Sequence, residues 1–435
     1  MKKVVVLGGG ILGLTLAYKL SKLDYQVTIL EKSPGFGGLA SGFEYDGFSI
    51  ERYYHHWFRS DVYVQNLLKE LGIGDKLAWH DTTSGIWDKN RLYDFSTSID
   101  VLKLPILNIF QRLRLGFVSL FLQKTKDYKK FENVTALEWC DRYFGTNVTN
   151  VLWRPLLNGK FGKYSNKISM SWLWARIFDR SSSRPNPLAK EKLGYIDGGF
   201  QLMVDKLVDG IKSNGGIMLS GVQVTSHKKE QQHVIKYVDA NQAENRLEAD
   251  LVVSTVPGPV FTKLFNVSEE YKKQIDQVKY IGATCMLIFL KHKLMPYYWL
   301  SVTNEDAPFM AVIEHTNLID KSKYNDKHIV YIAKYIDPNE ELFTKDEEQL
   351  LDVYENYLKQ INPEFDRSWI EEKFLFKSGF AQHIVEQNYN VVSYETGIEG
   401  LLYANFSQIY PHDRGTNYAV KQALDIVELI QTKYN

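Results

Sequence analysis

The chain has 435 residues, 44% hydrophobic and 24% charged, which suits one large or two interleaved globular domains. Lys plus Arg and Asp plus Glu both number 52, so the net charge is zero and nothing marks a nucleic-acid binder. Two cysteines, Cys140 and Cys285, make neither a disulfide framework nor a metal cluster, so a reducing, cytoplasmic setting and no metal are expected; no apolar run reaches the ~18–20 residues of a membrane span.

Residues 3–31 organise the chain. Val4–Leu7 is a short apolar run, as in a buried parallel strand. Gly8-x-Gly10-x-x-Gly13 follows, and then Leu12, Leu16, Leu20 and Leu23 recur at helical spacing. Gln26–Leu30 reads as a second strand and ends at Glu31. Gly8 suits the tight turn, Gly10 the approach of a pyrophosphate to the backbone, and Gly13 close packing of helix on strand. The first-turn N–H groups and the helix dipole then face the phosphates. Glu31, 18 residues after Gly13, suits hydrogen bonds from ribose hydroxyls. Lys2-Lys3 before this apolar stretch imitates a signal peptide, but the glycine cluster interrupts the apolar core, and a folded unit is the expectation.

A second glycine pair, Gly37-Gly38, comes six residues after Glu31 and suggests another backbone approach to the same ligand. Phe43 and Tyr45, then Asp46-Gly47, then Phe48 and Ile50 predict a hairpin with a tight turn. With these residues in place, the segment resembles the FAD-binding flavoproteins that include amine oxidases, protoporphyrinogen oxidase, carotenoid desaturases and UDP-galactopyranose mutase. The resemblance is specific over residues 3–60 and returns at Asp250–Pro257 and at the C-terminus. It implies FAD, held noncovalently since no cysteine lies near the C-terminal flavin segment, with Glu31 on the adenosine ribose. Lys32, Leu39 and Ala40 join the implied cofactor-binding set with Gly8, Gly10, Leu12, Gly13, Gly37 and Gly38.

His56-x-Phe58-x-Ser60 is similar to the segment that desaturase-like and mutase-like members place beside the flavin. His56 and Arg59 are therefore candidate catalytic residues, with Tyr54 and His55 as candidate substrate contacts. Two structural histidines in an aromatic cluster are the competing reading. Val62–Leu71 predicts a helix stopped by Gly72-Ile73-Gly74, then a strand through Trp79.

Residues 104–122 are apolar on most sides, with Gln111, Arg112 and Arg114 interrupting. A buried helix is favoured over a helix dipping into lipid, which would be a peripheral membrane contact. Trp153-Arg154-Pro155 and Lys160 lie near chain turns, and Trp172, Trp174, Arg176 and Arg180 follow. Arginines among rings suit an anionic or ring-bearing ligand, or a solvated helix face with packed tryptophans. Arg154 and Lys160 are the preferred substrate candidates.

Gly198-Gly199-Phe200 opens a predicted helix over Gln201–Ile211; the doublet suits either a negative group or a simple loop-to-helix joint. By the resemblance, the strand at Val222–Val224 brings the Val224 backbone to the adenine. Leu251–Val256 predicts a buried strand ending at Pro257. Residues 265–380 read only as mixed strands and helices. The strand after Gly282 contains no lysine where amine oxidases carry one, and Lys291 stands only at its end. Glu314, His315 and His383 read as structural more readily than as site residues.

Ala404-Asn405 ends a last strand, and Gly415, Thr416 and Asn417 fit the start of a helix running through Ile430. By the resemblance, Asn405 meets the pyrophosphate and the helix start faces the flavin, where its N–H groups stabilise negative charge. Tyr410 and Tyr418 echo the tyrosine-rich loop of the mutases, and Tyr410 joins the catalytic candidates.

The fold implied is α/β: a discontinuous Rossmann-like FAD-binding domain (1–75, 195–260 and 385–435) with an inserted α+β substrate domain (76–194 and 261–384). The reaction implied is hydride transfer from a small-molecule substrate to flavin. The alternative is a mutase-like enzyme acting on a nucleotide sugar, its diphosphate held by Arg154, Lys160 or Arg176.

Overall fold

A computed structural model describes residues 1–182, 184, 189–304 and 306–434. Five parallel strands form its first sheet, in spatial order Leu401–Tyr403, Leu251–Ser254, Lys2–Leu7, Tyr25–Leu30 and Ile217–Leu219. Val4 pairs with Leu251 on one side and Val27 on the other. Side chains alternate across the sheet with a period of two. Val4 and Val6 thus join the core with Leu14 and Leu16 of the helix Ile11–Ser21, and Val5 and Leu7 join a second core with Ile235 and Phe261. The helices Gly199–Ser213 and Thr416–Lys433 pack against Ile11–Ser21 on the first face. A three-stranded antiparallel meander, residues 223–249, covers the other.

The predicted hairpin is Gly42–Tyr45 paired with Phe48–Glu51. Asp46 and Gly47 both have positive φ, 50° and 83°, which closes a two-residue turn with the twist its strands need. Glu51 is buried, accepts from Tyr195 Oη at 2.8 Å and takes the Phe200 N–H at 2.6 Å. The Glu51 carboxyl, raised by burial, thus pins the hairpin to the start of the helix after the Gly198-Gly199 turn.

A seven-stranded sheet stands opposite, in the order Ile370–His383, Tyr280–Leu290, His328–Ile336, Ala311–Glu314, Trp299–Val302, Ser84–Asp88 and Arg91–Asp94. One face carries Met286, Ile288 and Ile332 against Leu350, Tyr354 and Leu358 of the helix Glu347–Ile361. The other face carries Leu287, Phe289 and Tyr331 into the core of the first sheet's helices. The two sheets therefore share one hydrophobic cluster along their junction.

Helices from Ser98 to Ser182 build a third core around Leu115, Trp139, Phe161 and Trp174. Here the expectation of a buried helix over 104–122 is corrected. The helix runs Ile109–Lys124 after a separate turn of helix at Ser98–Lys103. Only Leu115 and Leu122 are buried, while Phe110 is 79% and Phe117 73% exposed. Apolar residues surround the helix, so composition alone gave no sign of which side would find a partner.

Candidate active site

A cleft of about 1540 Å³ opens between the two sheets. It begins at the glycine turn. The helix Ile11–Ser21 starts at Gly10 with no side-chain cap, and a Cβ built on Gly10 would meet nothing within 4 Å. Its free N–H groups open onto the cleft. Gly8 has φ +104°, and a Cβ on Gly13 would lie 2.0 Å from the Gly8 carbonyl oxygen, so these two glycines serve the turn and the packing. Glu31 accepts the Gly9 N–H at 2.6 Å and the Ser33 N–H at 2.7 Å. A carboxylate has about four lone-pair sites, which leaves it capacity for further donors.

Gly37 and Gly38, with φ of 109° and 59°, bring the next turn against Gly10. At the far end, the helix Thr416–Lys433 starts at Gly415, again without a side-chain cap and with open space where a Cβ would stand. Two uncapped helix N-termini thus open onto one cleft. Thr416 Oγ1 accepts from Trp57 Nε1 at 2.7 Å, and Asn417 Oδ1 accepts from the Tyr63 and Val64 N–H groups. Asn405 is buried, bonds the Val256 carbonyl at 3.0 Å and caps the turn Phe406–Gln408.

Between these ends the walls carry rings and paired charges. His55 and His56 both border the cleft. Burial lowers the His55 imidazole to about 4 and the His56 imidazole to about 3, so both rings are neutral at ordinary pH. His56 Nδ1 lies 2.9 Å from Tyr298 Oη. Lys160 Nζ donates to Asp413 Oδ2 at 2.6 Å, and Arg176 reaches the same oxygen at 3.1 Å. Burial would raise the Asp413 carboxyl, but Lys160, Arg176 and Arg414 together hold it well below the carboxylate range. Burial lowers Lys160 more than its single carboxylate partner raises it. One acid faces three cations, which accounts for the asymmetry, and the pair is ionised. Tyr335 Oη accepts from Arg414 at 3.1 Å. Burial would raise this phenol, yet Arg414 and Lys160 leave it below its ordinary value.

Residues 13–408 match the family described as flavin containing amine oxidoreductase. The chain belongs to this family. A curated relative, coproporphyrinogen III oxidase of Staphylococcus aureus (strain NCTC 8325 / PS 47), is 26% identical over 327 residues, 66% of this chain and 67% of the relative. Among solved structures, a protein of Exiguobacterium sp. 255-15 assigned as a protoporphyrinogen oxidase superposes with TM-score 0.78 at 17% identity, covering 99% of each chain. Reduced UDP-galactopyranose mutase superposes with TM-score 0.73 at 15% identity, covering 99% of this chain and 94% of that one. These two likenesses are of fold. This flavin amine oxidoreductase is thus a flavin-dependent oxidoreductase with the α/β architecture the sequence predicts.

In this family member, Gly8, Gly10, Leu12, Glu31, Lys32, Gly37, Gly38, Leu39, Ala40, Tyr54, His55, His56, Lys160, Val224, Asn405, Gly415, Thr416 and Asn417 border the cleft. Four candidates lie elsewhere, among them Gly13, which packs against the Gly8 carbonyl oxygen behind the turn. Arg59 is exposed, its guanidinium 5.5 Å from the Trp79 ring centroid, because Asp61 Oδ2 takes the Phe58 N–H and closes the turn. Arg154 donates to Asn150 at 2.9 Å and pairs with Asp141, both within its own helical unit. Tyr410 donates to Glu132 at 2.9 Å and lies 3.1 Å from Ser171, among the helices.

Sequence reading also missed residues that the cleft gathers. Tyr335 and Trp299 come from strands of the stretch that read as uninformative. Asp61 borders the cleft, and burial raises its carboxyl to about 7, with Asp179 adding to the rise. An acid just before a helix reads as a cap, and nothing in sequence spacing announces its burial. Cys285 also lines the cleft, and burial raises its thiol.

Proposed function

We propose that this oxidoreductase binds FAD noncovalently and oxidises a small molecule that carries an anionic group. The observation that carries this reading is the single cleft joining the uncapped helix start at Gly10 to the one at Gly415. The first suits a diphosphate, with Glu31, Lys32 and Val224 around the nucleoside. The second suits an electron-accepting ring that gains negative charge, through the N–H groups of Thr416 and Asn417. The flavin, when bound, supplies the hydride acceptor; the chain supplies position and field. Cys285 is the one cysteine of the two on the cleft wall, and a thiol raised by burial is a poor nucleophile, which supports noncovalent binding.

The chain's own groups then act on the substrate. Tyr54 and Trp299 offer flat apolar surfaces, with Arg176 along the wall for a carboxylate or phosphate, while Arg180 is held by Glu191 at 2.8 Å. Neutral His56 holds a hydroxyl or amine by a hydrogen bond rather than by charge. Asp61, titrating near neutrality, and Tyr335 are the groups suited to hold or move a proton. In this reading the FAD-binding part comprises residues 1–75, 195–260 and 385–435, and the substrate part residues 76–194 and 261–384.

The test is direct. Purified protein is denatured, and the released flavin is identified by chromatography; FAD in the soluble fraction supports the reading, and a colourless protein that takes up no FAD ends it. Anaerobic bleaching by a panel of carboxylated and phosphorylated donors then identifies the substrate class.

A second reading is favoured by Lys160 and Arg176, two cations on one wall that share the single carboxylate of Asp413: a nucleotide sugar rearranged without net oxidation. It is distinguished by turnover of such a sugar only with dithionite-reduced enzyme, while the sugar leaves oxidised flavin unbleached.

A further inference from the structure

The helix Ile109–Lys124 presents an apolar stripe to solvent. Ile109, Phe110, Leu113, Phe117, Leu120 and Phe121 are all exposed. At 3.6 residues per turn these six fall within an arc of about 120°. Leu115 and Leu122, which anchor the helix to the core, lie on the opposite side. Ile99 and Leu102 of the preceding helix extend the exposed patch, and Arg112 Nη1 ties the two helices by donating to the Leu102 carbonyl at 2.9 Å.

This clustering is the argument. Of the thirteen exposed large apolar residues among those described, eight fall between Ile99 and Phe121. Single exposed leucines are ordinary; a contiguous patch marks an interaction surface. The charge around it selects the partner. Residues 98–130 carry seven bases, Lys103, Arg112, Arg114, Lys124, Lys126, Lys129 and Lys130, against two acids, in a chain whose net charge is zero. Lys103, Lys124, Lys126, Lys129 and Lys130 are exposed. Phenylalanines flanked by lysines match the layering of an anionic bilayer surface, apolar below and negative above. No described helix is long and apolar enough to cross a membrane.

We propose that the exposed face of Ile109–Lys124, extended by Ser98–Lys103, lies in the surface of an anionic phospholipid bilayer and docks the folded enzyme there without spanning it. The proposal is independent of the substrate, since it uses no residue of the cleft. Docking this way keeps Leu115 and Leu122 on the protein core while the phenylalanines leave water.

Flotation of the flavin-loaded full chain with vesicles tests it. Wild type is expected to float with vesicles of phosphatidylcholine and phosphatidylglycerol, less with phosphatidylcholine alone, and less again in high salt. The double variant Phe110→Ser/Phe117→Ser should lose on the order of tenfold or more in partitioning, with flavin content and thermal midpoint unchanged. Lys126→Glu/Lys130→Glu should weaken capture by the anionic vesicles specifically. Wild type that floats with neither vesicle, or serine variants that float as well as wild type, would overturn the proposal. So would a wild-type dimer that the serine variant converts to monomer without vesicle binding, which assigns the face to a second copy.

Discussion

Trp57 Nε1 donates to Thr416 Oγ1 at 2.7 Å, joining residues 359 apart in sequence. The indole is buried and stacks on Phe200 with centroids 4.0 Å apart. One hydrogen bond thus fastens the His55-His56 loop to the helix start at the far end of the cleft. Thr416→Val keeps the side-chain shape and leaves the indole N–H without its acceptor. A loss of about 1–3 kcal/mol is expected in chemical unfolding, since an unmet buried donor costs its full desolvation. Weaker flavin retention should accompany it. An unchanged unfolding midpoint would show that the loop is held by packing alone.

The glycines of the first turn separate into two classes. Gly10→Val has room for its side chain in the protein and should fold with near-native thermal stability, yet retain little FAD. Gly13→Ala places a Cβ 2.0 Å from a backbone oxygen and should lower stability whether or not flavin is present. Thermal unfolding with and without added FAD reads both. If Gly10→Val binds FAD like wild type, the phosphate cradle lies elsewhere.

Asp413→Asn leaves Lys160 and Arg176 facing each other without their shared carboxylate. Removing one partner of a buried ion pair costs roughly 3–5 kcal/mol, and partial exposure of Arg176 places the loss near the lower bound. The Asp413 carboxyl is depressed in the folded state, so its contribution is complete above the unfolded value near 3.9 and is lost as pH falls below it. The stability gap between wild type and variant should therefore narrow in acid. A gap that stays constant down to acid unfolding contradicts the pairing.

Asp61 has the opposite sign. Its carboxyl is raised to about 7 when folded, so its protonated form favours folding. That contribution is full below the ordinary carboxylate value and fades as pH rises from there to about 7. Asp61→Asn keeps an acceptor for the Phe58 N–H and should overtake wild type in stability above neutrality, by roughly 2 kcal/mol after discounting for partial exposure. Denaturant titrations at acid and alkaline pH check this; parallel curves for the two proteins would show an ordinary surface carboxylate.

Local signals carried the FAD-like unit far. The glycine spacing, Glu31, the Asp46-Gly47 turn and the Gly415 helix start are each decided within a few residues by backbone sterics, and all but the Asp46-Gly47 turn border one cleft. The helix predicted at Val62–Leu71 ends at Glu70, and the one predicted to reach Ile430 continues to Lys433. Their starts and stops are written in turn residues, which act locally.

The seven-stranded sheet was not legible in the same way. Its strands come from residues 84–94 and 280–383, and their order follows from pairings across the whole chain. Tyr335 and Asp61 become chemically distinctive only because Arg414 stands over one and burial closes around the other. Arg59, Arg154 and Tyr410 had the right chemistry for a site, and nearer partners claimed them.

Sequence by itself determined the glycine turn between strand and helix, the α/β class and the family, because glycine positions and strand–helix periodicity report local backbone geometry. Tertiary structure alone decided which arginines and tyrosines share a wall and which side of Ile109–Lys124 meets the core. Those outcomes depend on distance, burial and field between residues tens to hundreds of positions apart, quantities that no local pattern encodes.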